Sequence, residues 1–267
     1  EMSQLPQLLP RERSTRASAL STTITFAWRA VLKIKHVPEQ LFDVTASPVI
    51  FLLMFTYLFG GALVGSTGEY LQFVLPGIMV MMVAMITIYT GVGMNTDVKK
   101  GVFDRFRSMP IWRPSVIVGA LLADVLRYAL ASAIIIAIGI ALGFRPENGA
   151  VGVLLAGVLL VVFSSALSWI WVLLGLLMRT PESLMTVSFT ILFPLTFASN
   201  VFVSPETMPS WLEAFVNANP ITHLVTAVRG LMSGTVTLEQ IGLVLVASAA
   251  LLAVFGPLTM LIYRRKQ

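Results

Sequence analysis

The strongest constraint on this chain is the length of its charge-free stretches. Five contain no Asp, Glu, Lys or Arg: Val44 to Gly68, Tyr70 to Thr96, Asn148 to Met178, Ser183 to Pro205, and Gln240 to Tyr263. Each reaches the ~20 apolar residues that carry an α-helix across a ~30 Å hydrocarbon layer. A charge at the centre of such a helix costs about 2.5–3.5 kcal/mol, against about 0.3–0.6 gained by each Leu, Ile, Phe or Val. A sixth stretch, Tyr128 to Phe144, is near the lower length limit. It extends backwards through Val125, Leu122 and Leu121 when Asp124 and Arg127 lie near the interface, with Arg127 snorkelling towards the cytoplasm.

Composition agrees with this reading. With 57% hydrophobic and 12% charged residues and a mean hydropathy of +0.87, the chain has too little polar material to coat a globule. The expected fold is all-α: a polytopic membrane protein of six transmembrane helices, at about 44–63, 71–95, 118–144, 150–178, 183–203 and 240–263. An N-terminal amphipathic interfacial helix and short external re-entrant helices before the last span complete it. Residues 1–19 read as a disordered basic lead-in rather than a cleaved signal, 20–43 as the interfacial helix and its connector, and 264–267 as a tail.

An even number of spans places both ends on one side, and the basic residues say which. Arg11, Arg13, Arg16, Arg29, Lys33 and Lys35 precede the first span, and Lys99, Lys100, Arg105, Arg107 and Arg113 follow the second. Arg179 lies between the fourth and fifth, and Arg264, Arg265 and Lys266 close the chain. Of the 18 Lys and Arg, only Arg145 and Arg229 fall on the opposite side, and Arg127 lies within a span. The positive-inside rule then puts both termini in the cytoplasm and the protein in the cytoplasmic membrane.

Three segments outside the spans have patterns of their own. From Leu20 to His36, Ile24, Ala27, Trp28, Val31 and Ile34 share one helical face while Arg29, Lys33 and His36 share another. That pattern fits a helix on the cytoplasmic leaflet or one packed on a neighbour, and its place just before span one favours the first. In 97–110, Val102, Phe103, Phe106 and Met109 recur at helical spacing among basic residues, as in a short helix for a soluble partner or a solvated loop on headgroups. Between Pro205 and Gln240, neither half is long enough to cross. Two short helices with Asn219–Pro220 as the corner are expected, dipping into the outer face or lying on it.

Several chemistries are excluded or weakened. Without cysteine there are no disulfides or thiolate metal sites, and His36 and His223 are far apart in sequence. None of the five lysines follows a glycine, so the chain lacks the Gly-Lys-Ser/Thr phosphate loop, and any drive from ATP comes from another polypeptide. No serine or acid dyad with a histidine at membrane depth suggests catalysis, so the chain is not read as an enzyme. Asp124 and Arg127, three apart on one face, are the one intramembrane ionisable pair. A mutually neutralising structural pair is favoured over a proton relay.

The residues SPVIFLLMFTYLFGGAL (47–63), YLQFVLPGIM (70–79), GVFDRFRSMPIWRPSVIVGALLADVLR (101–127) and FPLTFASNVFVSPETMPSWLEAFVNANPITHLVTAVRGLMSG (193–234) follow one another in a familiar order and spacing. The chain resembles the membrane subunits of type-2 ABC exporters, in particular the daunorubicin/doxorubicin-resistance permease group. The resemblance implies two separate ABC ATPase subunits, which bind ATP and Mg so that this chain holds no cofactor, and a second permease, either a copy or a paralogue. It implies a coupling helix within 97–110 seated on the ATPase, with Arg105, Phe106 and Arg107 as central contacts and Val102, Phe103 and Met109 beside them. It matches the interfacial helix to Leu20–His36 and the re-entrant helices to Pro209–Leu231. It also implies a path between protomers along spans two and five.

Carried onto this chain, that path offers Met81, Met82, Met85 and Tyr89 from span two and Phe189, Phe193, Phe197 and Asn200 from span five. Met adapts its shape and aromatic rings stack, which suits bulky apolar cargo, although the same residues could face lipid or pack between helices. Gly139 and Gly143 form a GxxxG pair that is weak evidence for a dimer face. The expected function is ATP-driven export of amphipathic drug-like or lipid molecules, with no role for nucleic acid. The competing readings are a proton-coupled multidrug carrier using Asp124 and a non-transporting membrane scaffold.

Overall fold

The computed structural model describes residues 25, 28, 38–63, 65–101 and 115–265. The coupling segment, with Val102, Phe103, Arg105, Phe106, Arg107 and Met109, lies outside the described residues. So does Leu20–His36 apart from Thr25 and Trp28, both helical. The described chain is a helical bundle: α1 (Pro38–Leu63), α2 (Thr67–Ile86), α3 (Ile88–Lys99), α4 (Ser115–Leu142), α5 (Gly149–Leu177), α6 (Pro181–Phe197), α7 (Ser210–Ala218), α8 (Pro220–Ser233) and α9 (Leu238–Arg265). Four stretches are long and apolar enough to cross a membrane: Thr67–Lys99, Ile117–Ala141, Gly149–Leu177 and Leu238–Arg265. The apolar part of α1, Ala46–Gly61, is shorter, and α6 has 17 residues. The chain is a polytopic, all-helical membrane protein.

Local chemistry sets the helix ends. Ser66 caps α2 by accepting from Glu69 N at 3.2 Å, and Thr180 and Ser183 form a reciprocal capping box at the start of α6, with Pro181 in its first turn. At the far end of α5, Asn95 from α3 donates to the carbonyls of Gly175 and Met178, both at 2.8 Å, satisfying groups the helix leaves open. Gly234 closes α8 at φ 77°, a conformation that costs glycine least.

The core is organised around α2. Val74, Leu75, Ile78, Met79, Val80 and Val83 are fully buried, so this helix is apolar all round because it is covered all round, by α1, α4 and α8. α3 instead packs on α5 and α6, and α5 packs on α9. The outer helices present large apolar side chains outward: Val151, Leu154, Val158, Leu245, Val246 and Val254 are all exposed. Such continuous apolar surface is stable against lipid rather than water.

Span two runs from Thr67 to Lys99 as one stretch, with a single-residue irregularity at Thr87 between α2 and α3, whose backbone stays right-handed helical at φ −60° and ψ −25°. There the backbone N–H is shared by the carbonyls of Val83 and Ala84, each at 3.2 Å, and the hydroxyl accepts the Trp171 indole N–H at 2.7 Å. The structure departs from the sequence reading in three places. Span five, expected to reach residue 203, leaves the helix after Phe197, because Asn219 Nδ2 takes the carbonyls of Leu195 and Ala198 at 2.6 and 2.8 Å. The GxxxG pair is not a dimer stripe: a Cβ on Gly139 would collide with the Leu75 side chain of α2, while Gly143, at φ 108°, ends α4. Arg127 does not snorkel, being 8% exposed within the bundle. The expected corner at Asn219–Pro220 does join two short helices, α7 and α8.

Candidate functional site

A cavity of about 620 Å³ opens between α1, the α2–α3 junction and α6. The floor comes from α2 and α3: Met81 and Met82 are buried, and Met85 and Tyr89 continue the same face at helical spacing. The facing wall is α6, where Met185, Phe189, Phe193 and Phe197 recur every fourth residue and so line one side of the helix. These four are 37–53% exposed, so this wall is open rather than part of the packed core.

The rings of that wall form a continuous series. Phe189 stacks on Phe193 with centroids 5.3 Å apart, and Phe193 on Phe197 at 4.2 Å. Phe197 meets Phe202 at 5.2 Å, and Phe202 stacks on Phe55 of α1 at 4.2 Å. Phe55 in turn neighbours Phe51, which lines the cavity, at 6.0 Å. Offset ring pairs at these separations are mutually stabilising and offer flat faces to a third ring. Polar groups at the cavity are few: Ser47, Thr186 and Thr190 besides Tyr89. Thr186 and Thr190 hydroxyls donate to carbonyls one turn back, leaving acceptor capacity only. Such a lining solvates a large apolar or aromatic molecule and supplies no nucleophile, acid–base pair or metal ligand set.

Of the residues expected along a path, Met82, Met85, Tyr89, Phe193 and Phe197 come together here, as do Met81 and Phe189. Asn200 does not. It lies beyond the end of α6, where its Nδ2 donates to Thr226 Oγ1 at 2.8 Å and its carbonyl accepts from Arg229 at 3.0 Å. Sequence reasoning missed the α1 wall, Ser47 and Phe51, because nothing in span one says which neighbour it faces. It also missed Met185, although the four-residue spacing that carries Phe189, Phe193 and Phe197 extends back to it.

Asp124 and Arg127 are brought together, but away from this cavity. Their side chains pair at 3.0 Å, and both residues are buried. Thr90 donates to the other Asp124 oxygen at 2.6 Å, and the Tyr128 hydroxyl lies 3.2 Å from Thr90 and 2.6 Å from Ser168. Ser168 donates to the Ser164 carbonyl at 2.7 Å, where the series ends on backbone. One polar network thus ties α3, α4 and α5 together inside an apolar bundle, where its hydrogen bonds are strong and its disruption costly.

A model of the family described as ABC-2 type transporter matches residues 22–233. The daunorubicin resistance ABC transporter permease protein DrrB1 of Streptomyces coeruleorubidus is 53% identical over 255 residues, covering 96% of this chain and 90% of that protein. The doxorubicin resistance ABC transporter permease protein DrrB of Mycobacterium tuberculosis is 25% identical over 204 residues, covering 73% of this chain and 71% of its own length. The putative transport permease ycf38 of Cyanophora paradoxa is 27% identical over 212 residues, covering 77% and 72%.

Proposed function

Because this chain belongs to the ABC-2 type transporter family, as the permease subunit of an ATP-binding-cassette exporter, we propose that its cargo is a planar, amphipathic aromatic drug of the daunorubicin kind. The observation that carries the reading is the 53% identity, along nearly the whole chain, to a permease named for daunorubicin resistance. The cavity supports it independently, since stacked phenylalanines and adaptable methionines suit a flat polycyclic ring system.

These 267 residues hold no Gly-Lys-Ser/Thr phosphate loop, and the relatives are named as permease proteins, so we assign the ATPase to a separate partner. In the reading we favour, two such subunits bind ATP and Mg and act on a pair of permeases, each threaded six times through the cytoplasmic membrane with both termini inside. The charge distribution supports that orientation, with Arg145 and Arg229 alone outside. α1 and α6 are the two additional spans, each extended by its flanking segment. ATP binding pushes on the 97–110 segment, and the α3 helix that leads into it carries the motion to the cavity floor. To invert the population of inward and outward states, ATP must favour one over the other by about 5.5 kcal/mol. The cavity's open α6 wall is the side we assign to the second permease.

The test is daunorubicin uptake into inverted vesicles holding the permease and its ATPase. Replacing Phe193 with Ala should raise the KM for daunorubicin several-fold, one lost ring contact being worth about 0.5–1.5 kcal/mol, while leaving basal ATP hydrolysis unchanged. Unaltered daunorubicin kinetics in a Phe189→Ala/Phe193→Ala double variant would remove this cavity from the path.

A further inference from the structure

A second cavity, of about 440 Å³, lies where the N-terminal ends of α2 and α9 meet the last turns of α8. Its character is opposite to the first: Glu69, Gln72, Asn200, Arg229, Ser233 and Gln240 line it. Arg229 is held rigidly, with Nε donating to the Phe73 carbonyl at 3.1 Å, Nη2 to the Asn200 carbonyl at 3.0 Å, and the guanidinium 3.9 Å from the Phe73 ring centroid. Carbonyls and a ring position a cation without neutralising it. No carboxylate among the described residues lies within ion-pair distance of Arg229, and Nη1 has no protein acceptor among them. Burial alone lowers its pKa to about 10, so it remains charged at neutral pH.

The second basic residue on this side is fastened to the same corner. Gln72 Oε1 accepts from the Arg145 backbone N–H at 3.1 Å, and Gln72 Nε2 donates to the Gly143 carbonyl at 3.1 Å. The Arg145 guanidinium itself turns to the end of α4, donating to the carbonyls of Ile140 and Phe144 at 3.0 and 2.9 Å, so Arg229 is the cation that the cavity presents. A half-buried, pre-oriented guanidinium with donors to spare is complementary to phosphate oxygens.

We propose that this cavity binds the phosphate of a phospholipid headgroup in the outer leaflet. The depth fits, because the cavity sits at the ends of membrane-crossing helices, where headgroups lie. Charge separates the two sources of such a group: Glu69 on the same wall disfavours a doubly charged free phosphate more than a singly charged diester, and it suits a headgroup bearing an amine. The outer-leaflet assignment rests on the orientation proposed above.

The test uses the full permease–ATPase complex, stripped of lipid and offered phosphatidylethanolamine, diacylglycerol of the same chains, or inorganic phosphate, with retention read by native mass spectrometry. Arg229→Gln removes the cation. Gln240→Glu adds a competing carboxylate while keeping the acceptor that now takes the Thr237 N–H at 3.1 Å, so its fold is preserved. Phosphatidylethanolamine should be retained about tenfold better by the wild type than by either variant, as for a charge-assisted hydrogen bond, with diacylglycerol indifferent to both. Equal retention by all three proteins overturns the site. Dependence on Arg229 for inorganic phosphate but not for lipid overturns the lipid assignment. A Thr235→Cys label placed from inside only, with the tenfold preference intact, overturns the orientation and leaves the site standing.

Discussion

Asp124 shows how a single residue can be visible in sequence while its environment is not. A lone acid in an apolar span with an arginine three positions on reads as a pair, and the pair forms at 3.0 Å. What sequence could not supply is Thr90 and Ser168, brought from α3 and α5 to complete the network. Because the pair is buried, removing one member leaves the other charge uncompensated, at about 3–5 kcal/mol. Asp124→Asn is therefore expected to lower the thermal stability of the purified permease substantially, and Asp124→Asn/Arg127→Gln to recover much of that loss. If the double variant is stable and still exports drug with ATP, Asp124 is structural. If it is stable but inactive, with the wild type driven by a proton gradient, the carrier reading prevails. The Phe189–Phe193–Phe197 stripe, by contrast, was legible because i, i+4 spacing alone determines that such residues share a face.

At the scale of elements, existence was easier to read than ends. Long charge-free runs became helices because backbone groups removed from water must bond within their own segment. The early end of α6 was not legible, since it depends on a donor from the distant corner between α7 and α8, Asn219. The contact between α3 and α5 likewise had no clear signature. A Cβ on Gly91 would lie 2.3 Å from the Trp171 carbonyl oxygen, and one on Gly175 would lie 2.5 Å from that of Gly91, whereas one on Gly93 would meet nothing within 4 Å. Small residues at such crossings let helices approach closely in lipid, where packing replaces the hydrophobic effect. Gly91→Ala should accordingly destabilise the permease by about 1–3 kcal/mol, and Gly93→Ala should stabilise it by about 0.5–1 kcal/mol. Thermal unfolding of the two variants, side by side, checks the contrast; equal effects would mean that α3 does not ride on α5.

For the whole molecule, α2 and α3 form one rod whose two parts pack on different neighbours. α2 is enclosed by α1, α4 and α8, while α3 is fastened to α5 through Asn95 and the paired glycines. On the coupling role proposed above, a push on the segment after Lys99 would reach α5 and the cavity floor together. Phe106→Asp is expected to abolish drug-stimulated ATP hydrolysis and export while leaving membrane insertion and thermal stability unchanged. Normal ATP-driven export by that variant would remove the coupling role from 97–110.

The sequence by itself determined the solvent, the helical class and the charge asymmetry, because the cost of a charge in hydrocarbon and the length of a membrane-crossing helix are local quantities that a single segment must satisfy alone. Only the tertiary structure decided which faces meet: the α1 wall of the first cavity, the separation of Asn200 from it, and the holding of Arg229 between the Phe73 and Asn200 carbonyls. Those depend on how helices rotate about their axes, and in a bundle of uniformly apolar spans that rotation is set by close packing between neighbours, which no segment encodes on its own.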